Sequence, residues 1–298
     1  MTTSELKTRL FEATQKAVIL DTDTFNEIDD QYALAYAMLS PERVKLLAVT
    51  AAPFSNSRAA TPAQGMEQSF SEARRIRDFV DTKSAVPIYR GSTSYLPSKS
   101  TPVVSEAAEA IVRLVRESAE PIYIVAIGAI TNVASAILLA PEIVQKSAVV
   151  WLGGNALHAP HNHEFNLYQD VAAAQVVFDS GIPLLQIPCL GVCTEFLTTV
   201  PELKYYLSGK NALCDYLVGA TEAYMDRPGK KIYSKPIWDV TAVAGITRPD
   251  TLDIVEIPRP VVTDNEYYAF DAARPTYLYV RRIRRDPLFL DLFTKLAK

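Results

Sequence analysis

Six short apolar runs, none of them alternating, set the terms on which this chain can fold. AVIL (17–20), VKLLAVT (44–50), VPIY (86–89), PIYIVAI (121–127), SAVVWL (147–152) and IPLLQIP (182–188) each have the length of a strand. A strand exposed on one face alternates apolar and polar residues, so continuous apolar runs imply strands covered on both faces. Between them lie longer segments with helical spacing, at 28–39, 66–80, 105–117, 132–139 and 170–179. Strand and helix therefore alternate, which predicts an α/β fold with a mainly parallel, Rossmann-like central sheet flanked by helices.

After about residue 200 the rhythm weakens. Helical pieces around 201–226 lead through PIWDVTAVAGI to a strand-rich tail with VEIPRPVV and PTYLYVRRI. No Gly/Ser-rich linker, low-complexity tract or repeat interrupts the 298 residues, so we expect a single domain over 1–298. With 49% hydrophobic and 21% charged residues the composition is that of a globular enzyme or binding protein. A net charge of -4 provides no general attraction for nucleic acid or an anionic membrane. No apolar run reaches the roughly 20 residues that span a bilayer, and the polar amphipathic first 20 residues do not read as a secretory signal. Three cysteines, Cys189, Cys193 and Cys214, without a C-x-x-C pair, argue against a disulfide framework and fit a reducing cytoplasm.

In open parallel sheets ligands sit beyond the carboxyl ends of the strands. The segments following the apolar runs are rich in polar groups: DTDTFNEIDD, TAAPFSN, AIGAITN and GGNALHAPHNHEFN. The first packs Asp21, Asp23, Asp29 and Asp30 into ten residues. Asp29 and Asp30 open a helix, whose unpaired amides and dipole favour negative charge by roughly 0.3–1 kcal/mol each. Asp21 and Asp23 lie at a strand end, and crowding the four acids raises at least one pKa unless a cation neutralises them. Carboxylates with carbonyls are hard oxygen donors suited to Ca²⁺ or Mg²⁺. From these residues alone, a divalent-cation site and a capped helix with solvated acids both stay open.

Two families share features of this motif. DTDT matches the D-x-D-x-T opening of haloacid dehalogenase-like phosphatases, but a later Lys and a distal acidic pair for Mg²⁺ are not convincingly placed. The longer pattern, strand, D-T-D, loop, D-D and apolar helix, resembles the nucleoside hydrolases, with their D-x-D-P-G-x-D-D. Three further segments resemble that family in order: IVAIGAITNVASAI, WLGG with HEFNLYQDVAAAQVVF, and PIWDVTAVA. The likeness runs from about residue 17 to 244 and implies Ca²⁺-dependent cleavage of the N-glycosidic bond of ribonucleosides. It implies calcium held by Asp23, Asp30, Asp239 and the backbone carbonyl of Ile127, with Asp23 doubling as general base. Asp29, Asn166 and, less securely, Asn56 would bind ribose, and Glu164 would sit near the 5′-hydroxyl. Asp21 would orient the loop, and the assembly would be a homo-oligomer, a dimer or a tetramer.

The chain departs from that pattern twice. Between Asp23 and Asp29 stand five residues, TFNEI, where the family has three, and the turn-forming Pro and Gly are missing. Before Asp239, where many members carry a proton-donating His, stands Trp238, which can stack on a base but cannot protonate it. The only histidines, His158, His161 and His163, lie in HAPHNH just before Glu164. Three readings of these imidazoles stay open: polar loop residues without a catalytic role, contact with or protonation of the departing base, for which His163 is the candidate, and a zinc site. Tyr224, Tyr233, Tyr267 and Tyr268 are candidates for a base pocket or for ordinary core and rim. Gly153 and Gly154 form a turn toward the site. RRIRR (281–285) reads as a solvated strand end or an anion contact, and the cysteines as packing residues. Besides the hydrolase, a non-catalytic ribose or nucleoside sensor and the phosphatase remain open readings.

Overall fold

The computed structural model describes residues 1–81, 83, 86–226 and 234–298. A short amino-terminal helix α1 (Thr3–Phe11) leads into β1 (Lys16–Thr22), α2 (Asp29–Met38), β2 (Val44–Ala51), α3 (Pro62–Val80) and β3 (Ile88–Tyr89). The second run is α4 (Glu106–Glu117), β4 (Ile122–Ala126), α5 (Thr131–Leu139), β5 (Ser147–Leu152), α6 (Phe165–Gln169), α7 (Val171–Asp179) and β6 (Leu184–Ile187). All six apolar runs thus contain strands, and the helical segments between them are helices, as the sequence predicts.

The sheet order is β3-β2-β1-β4-β5-β6, and these strands pair in parallel. The chain winds outward from β1 to β3, crosses over, then winds outward the other way from β4 to β6. The carboxyl ends of β1 and β4 therefore flank the point where the strand order reverses, the place such sheets bind ligands. Apolar residues cover both faces. Along β1, Val18 and Leu20 join one core cluster with α2, while Ile19 joins the other with α4, α5 and α7. Helix α2 is buried along nearly its whole length. Its lack of a polar face is why it reads as a helix by length rather than by amphipathicity.

The remaining chain comprises β7 (Leu197–Thr198), α8 (Val200–Leu207), α9 (Ala212–Met225), β8 (Lys235–Pro236), α10 (Val240–Thr247) and β9 (Leu252–Pro258). A hairpin of β10 (Val261–Val262) and β11 (Tyr268–Ala269), the long β12 (Thr276–Ile283) and α11 (Arg285–Leu296) complete it. Strand β12 pairs parallel to β6 and antiparallel to β9, so the last two strands extend the sheet to eight among the described residues. The basic run 281–285 is the end of β12 and the start of α11. Arg281 pairs with Asp253 at 2.9 Å and Arg285 with Glu202 at 2.6 Å, in keeping with the strand-end reading.

Candidate active site

The acids of the DTDTFNEIDD segment divide by what they touch. Asp21, in β1, accepts from Thr50 Oγ1 of β2 at 2.6 Å and from Asn132 Nδ2 of α5 at 2.8 Å. It stitches three elements together behind the loop. Burial raises its pKa to about 6, with the bonds from Asn132 and Thr50 pulling the other way. Asp23 follows β1 and faces the cavity against Gly128, where an added Cβ would stand 3.0 Å from Asp23 Cγ. Asp29 and Asp30 open α2, and Asp239 immediately precedes α10. One carboxylate oxygen from each of Asp29, Asp30 and Asp239 lies within 4.8 Å of the others. Thr22 Oγ1 holds Asp30 by a bond of 2.5 Å.

All four cavity acids are buried, and all are pushed up. For Asp23 the causes are burial and then the charges of Asp30 and Asp29; for Asp239, burial and then Asp29, Asp30 and Asp23. Asp30 rises to about 7 through burial and the charge of Asp29. Asp29 rises through burial, against the pull of Lys235. Four buried carboxylates in mutual repulsion, one of them with an Oδ2 that no hydrogen bond reaches (Asp23), are a donor set a hard divalent cation fits. The likeness to the hydrolases assigned Asp29 to ribose and Asp23 to the cation. In the structure Asp29 shares the tight group with Asp30 and Asp239, while Asp23 flanks it.

The five-residue loop replaces the missing Pro and Gly by side-chain anchors. Asn26 N–H donates to Asp23 O at 2.7 Å, and Asn56 Nδ2 donates to Asn26 Oδ1 at 2.7 Å. Asn56, expected on ribose, thus supports the loop. Arg58 lies over the Phe25 ring at 4.2 Å and donates to the carbonyls of Asn26 and Glu27 at 3.3 and 3.0 Å. Glu27 accepts from Tyr224 Oη at 2.6 Å and from Lys235 Nζ at 2.5 Å. Lys235 was missed by the sequence reading. Its only signal there is a charge interrupting the chain three residues before Trp238 in KPIWD.

The opposite wall comes from the ends of β4 and β5. Asn166 Nδ2 donates to the carbonyls of Leu152 and Ile127 at 3.0 and 3.3 Å, and its Oδ1 takes no hydrogen bond from the described residues. Glu164 caps α6 through Asn166 N–H and Leu167 N–H, both at 3.0 Å. It also accepts from Gly154 N–H at 2.8 Å and Cys189 Sγ at 3.3 Å. These four bonds hold the carboxylate of Glu164 in place in the cavity wall. Gly154 turns at φ 72°, a left-handed conformation that favours glycine, and so aims its N–H at Glu164.

These groups enclose a cavity of about 740 Å³, bordered on its other side by Trp238, Tyr224, Phe165, His161 and His163. That is ample room for a nucleoside-sized ligand. His163 is largely exposed at the rim, stacked on Tyr168 with centroids 4.4 Å apart and bonded through Nδ1 to Glu266 at 2.5 Å. His158 lies outside the cavity lining, beside Gly191. Among the described residues the group placed to hold a metal is Asp29, Asp30 and Asp239, with no histidine in it. Tyr268 is half-buried and bonded to Gln186 at 2.6 Å, and Tyr267 is exposed on the hairpin; neither lines the cavity. Tyr233 lies outside the described residues. Cys193 and Cys214 are buried, and Cys189 is part of the cavity wall.

Known proteins resemble this chain in sequence and fold. The chain is 28% identical over 236 residues to the probable uridine nucleosidase 2 of Arabidopsis thaliana, covering 71% of this chain and 70% of that one. It is 26% identical over 270 residues to the pyrimidine-specific ribonucleoside hydrolase RihA of Salmonella typhimurium, covering 84% and 85%. The fold matches a solved plant nucleoside hydrolase, the PpNRh1 enzyme, with a TM-score of 0.77 at 20% identity over 95% of this chain and 99% of that one. A family model described as inosine-uridine preferring nucleoside hydrolase matches residues 18–274, and the chain belongs to that family.

Proposed function

We propose that this protein hydrolyses the N-glycosidic bond of ribonucleosides, releasing free base and ribose, with Ca²⁺ in the acidic cluster. The observation that supports this most is the meeting of Asp23, Asp29, Asp30 and Asp239 at the topological switch point, on the floor of a cavity with aromatic walls. Family membership and the ribonucleoside hydrolases among its relatives point the same way. The cation's holders would be Asp23, Asp30, Asp239 and the Ile127 carbonyl, with Asp29 between cation and ribose. When bound it supplies positive charge that relieves the carboxylates' repulsion and a grip for vicinal hydroxyls.

The chain's own groups account for the rest. Asp23 accepts a proton from the attacking water, a role its carboxylate can take once a bound cation keeps it deprotonated. The carboxylates around it stabilise positive charge as it develops on the sugar ring. Asn166, fixed through its Nδ2, presents Oδ1 to a ribose hydroxyl. Trp238 and Tyr224 stack on the base, while His163 and His161 border the side where it departs. A water-accessible site in a chain with no membrane-crossing helix among its described residues fits a cytoplasmic enzyme, and an oligomer of identical chains fits the family resemblance.

Metal-stripped protein incubated with purine and pyrimidine ribonucleosides, with and without Ca²⁺, tests the proposal by assay of free base and ribose. Calcium-dependent release of both is expected. Nucleoside binding without turnover would favour a sensor, and phosphate release from phosphorylated substrates alone a phosphatase.

A further inference from the structure

Lys235 stands behind the cavity wall. Its side chain is 8% exposed, and three acceptors surround the ammonium: Glu27 Oε2 at 2.5 Å, the Pro236 carbonyl at 2.9 Å and Asp29 Oδ1 at 3.4 Å. The rings of Trp238 and Tyr224 flank it, with centroids at 5.8 and 5.9 Å. Burial by itself favours the neutral amine, but the carboxylates of Asp29 and Glu27 outweigh it and keep the group cationic. Asp29 in turn belongs to the triplet whose oxygens lie within 4.8 Å of one another. A fixed positive charge therefore shares a carboxylate with the place where a divalent cation would sit, beside an Asp23 Oδ2 that is buried and unpartnered.

Two consequences follow from Coulomb's law in a buried site. Without a metal, the ammonium offsets part of the repulsion among the acids. With one, it repels the incoming ion across Asp29. Glu27, from the lengthened loop, moderates both effects by drawing the ammonium to its own side, 2.5 Å against 3.4 Å. We infer that Lys235 is a built-in counter-cation of the acidic cluster, which keeps the metal-free site assembled and limits its affinity for a divalent cation. This rests on the reading of the cluster as a cation site.

Calorimetric titration of the metal-stripped full chain with Ca²⁺, repeated with Mg²⁺, provides the test, alongside metal-free thermal midpoints. Lys235→Met should bind Ca²⁺ at least tenfold more tightly while its metal-free midpoint falls. Glu27→Gln, which releases the ammonium toward Asp29, should bind at least threefold more weakly. A purely structural lysine predicts the opposite for Lys235→Met, because a deformed site loses affinity, and equal or weaker binding overturns the inference. If that variant does not fold, Glu27→Gln decides, with unchanged or tighter binding overturning it. Should wild type and both variants bind neither ion, the cation reading itself fails and the inference with it.

Discussion

At the scale of single residues, several side chains do work that their position in the sequence does not announce. Glu164 reads as a sugar ligand by resemblance, yet it accepts from three backbone amides and a thiol. Glu164→Gln places an NH₂ against these donors and should cost about 1–3 kcal/mol of stability, measurable by urea unfolding. A variant of unchanged stability with a raised KM would favour the sugar-binding role. Gly128 shows the reverse, a residue whose lack of a side chain matters. The Cβ of Gly128→Ala would press on Asp23 Cγ at 3.0 Å and Ala52 Cβ at 3.1 Å. Displacing the proposed general base, it should lower kcat by roughly 10- to 100-fold with little change in KM, as misplacement of a reacting group does. Trp238 was legible as a departure from the family pattern because only its identity was needed. Lys235 was not, because its importance lies in partners 206 and 208 positions away in sequence.

At the scale of elements, the acidic loop and α2 act as one unit. Asp29 and Asp30 were readable as first-turn acids because a helix start is a local property, and α2 begins at Asp29. The loop before them was unreadable in detail, since its anchors, Asn56, Arg58, Tyr224 and Lys235, come from other parts of the chain. Asp239 is the last acid to join, at the entry to α10. Its pKa is raised by burial and by three like charges, so neutralising it should relieve strain in the metal-free protein. Asp239→Asn is expected to raise the metal-free thermal midpoint while weakening Ca²⁺ binding at least 100-fold. A lowered midpoint with intact binding would remove Asp239 from the cluster's ligands.

At the scale of the whole molecule, the buried acids tie stability to pH. Asp21 and Asp30 have folded-state pKa values of about 6 and 7, above the ordinary carboxylate value of 3.8. The metal-free fold holds these protons more tightly than the unfolded chain does. Their stabilising contribution is therefore complete below about pH 4 and lost as pH rises through 6 and 7. The proposed calcium would work in the other direction, since it would bind the deprotonated acids. The rise in thermal midpoint caused by Ca²⁺ should thus be larger at pH 8 than at pH 5. An increment that does not change between them would contradict the pairing of raised acids with a cation.

The strands of the main sheet, the helices between them and the acids at the first strand end were set by the sequence alone. Apolar runs and helical spacing are local signals, and a polar segment after a strand has few other places to go. Which acids meet was decided only by tertiary structure. The crossover between β3 and β4 puts β1 beside β4, bringing Asp23 to Gly128, and the packing of α10 against α2 carries Asp239 to Asp30. The turn after β5 and the start of α6 occupy the acceptors of Glu164, and β8 places a lysine beside Asp29. Charge felt through a buried interior depends on distance in space, and spacing along the chain does not encode that distance.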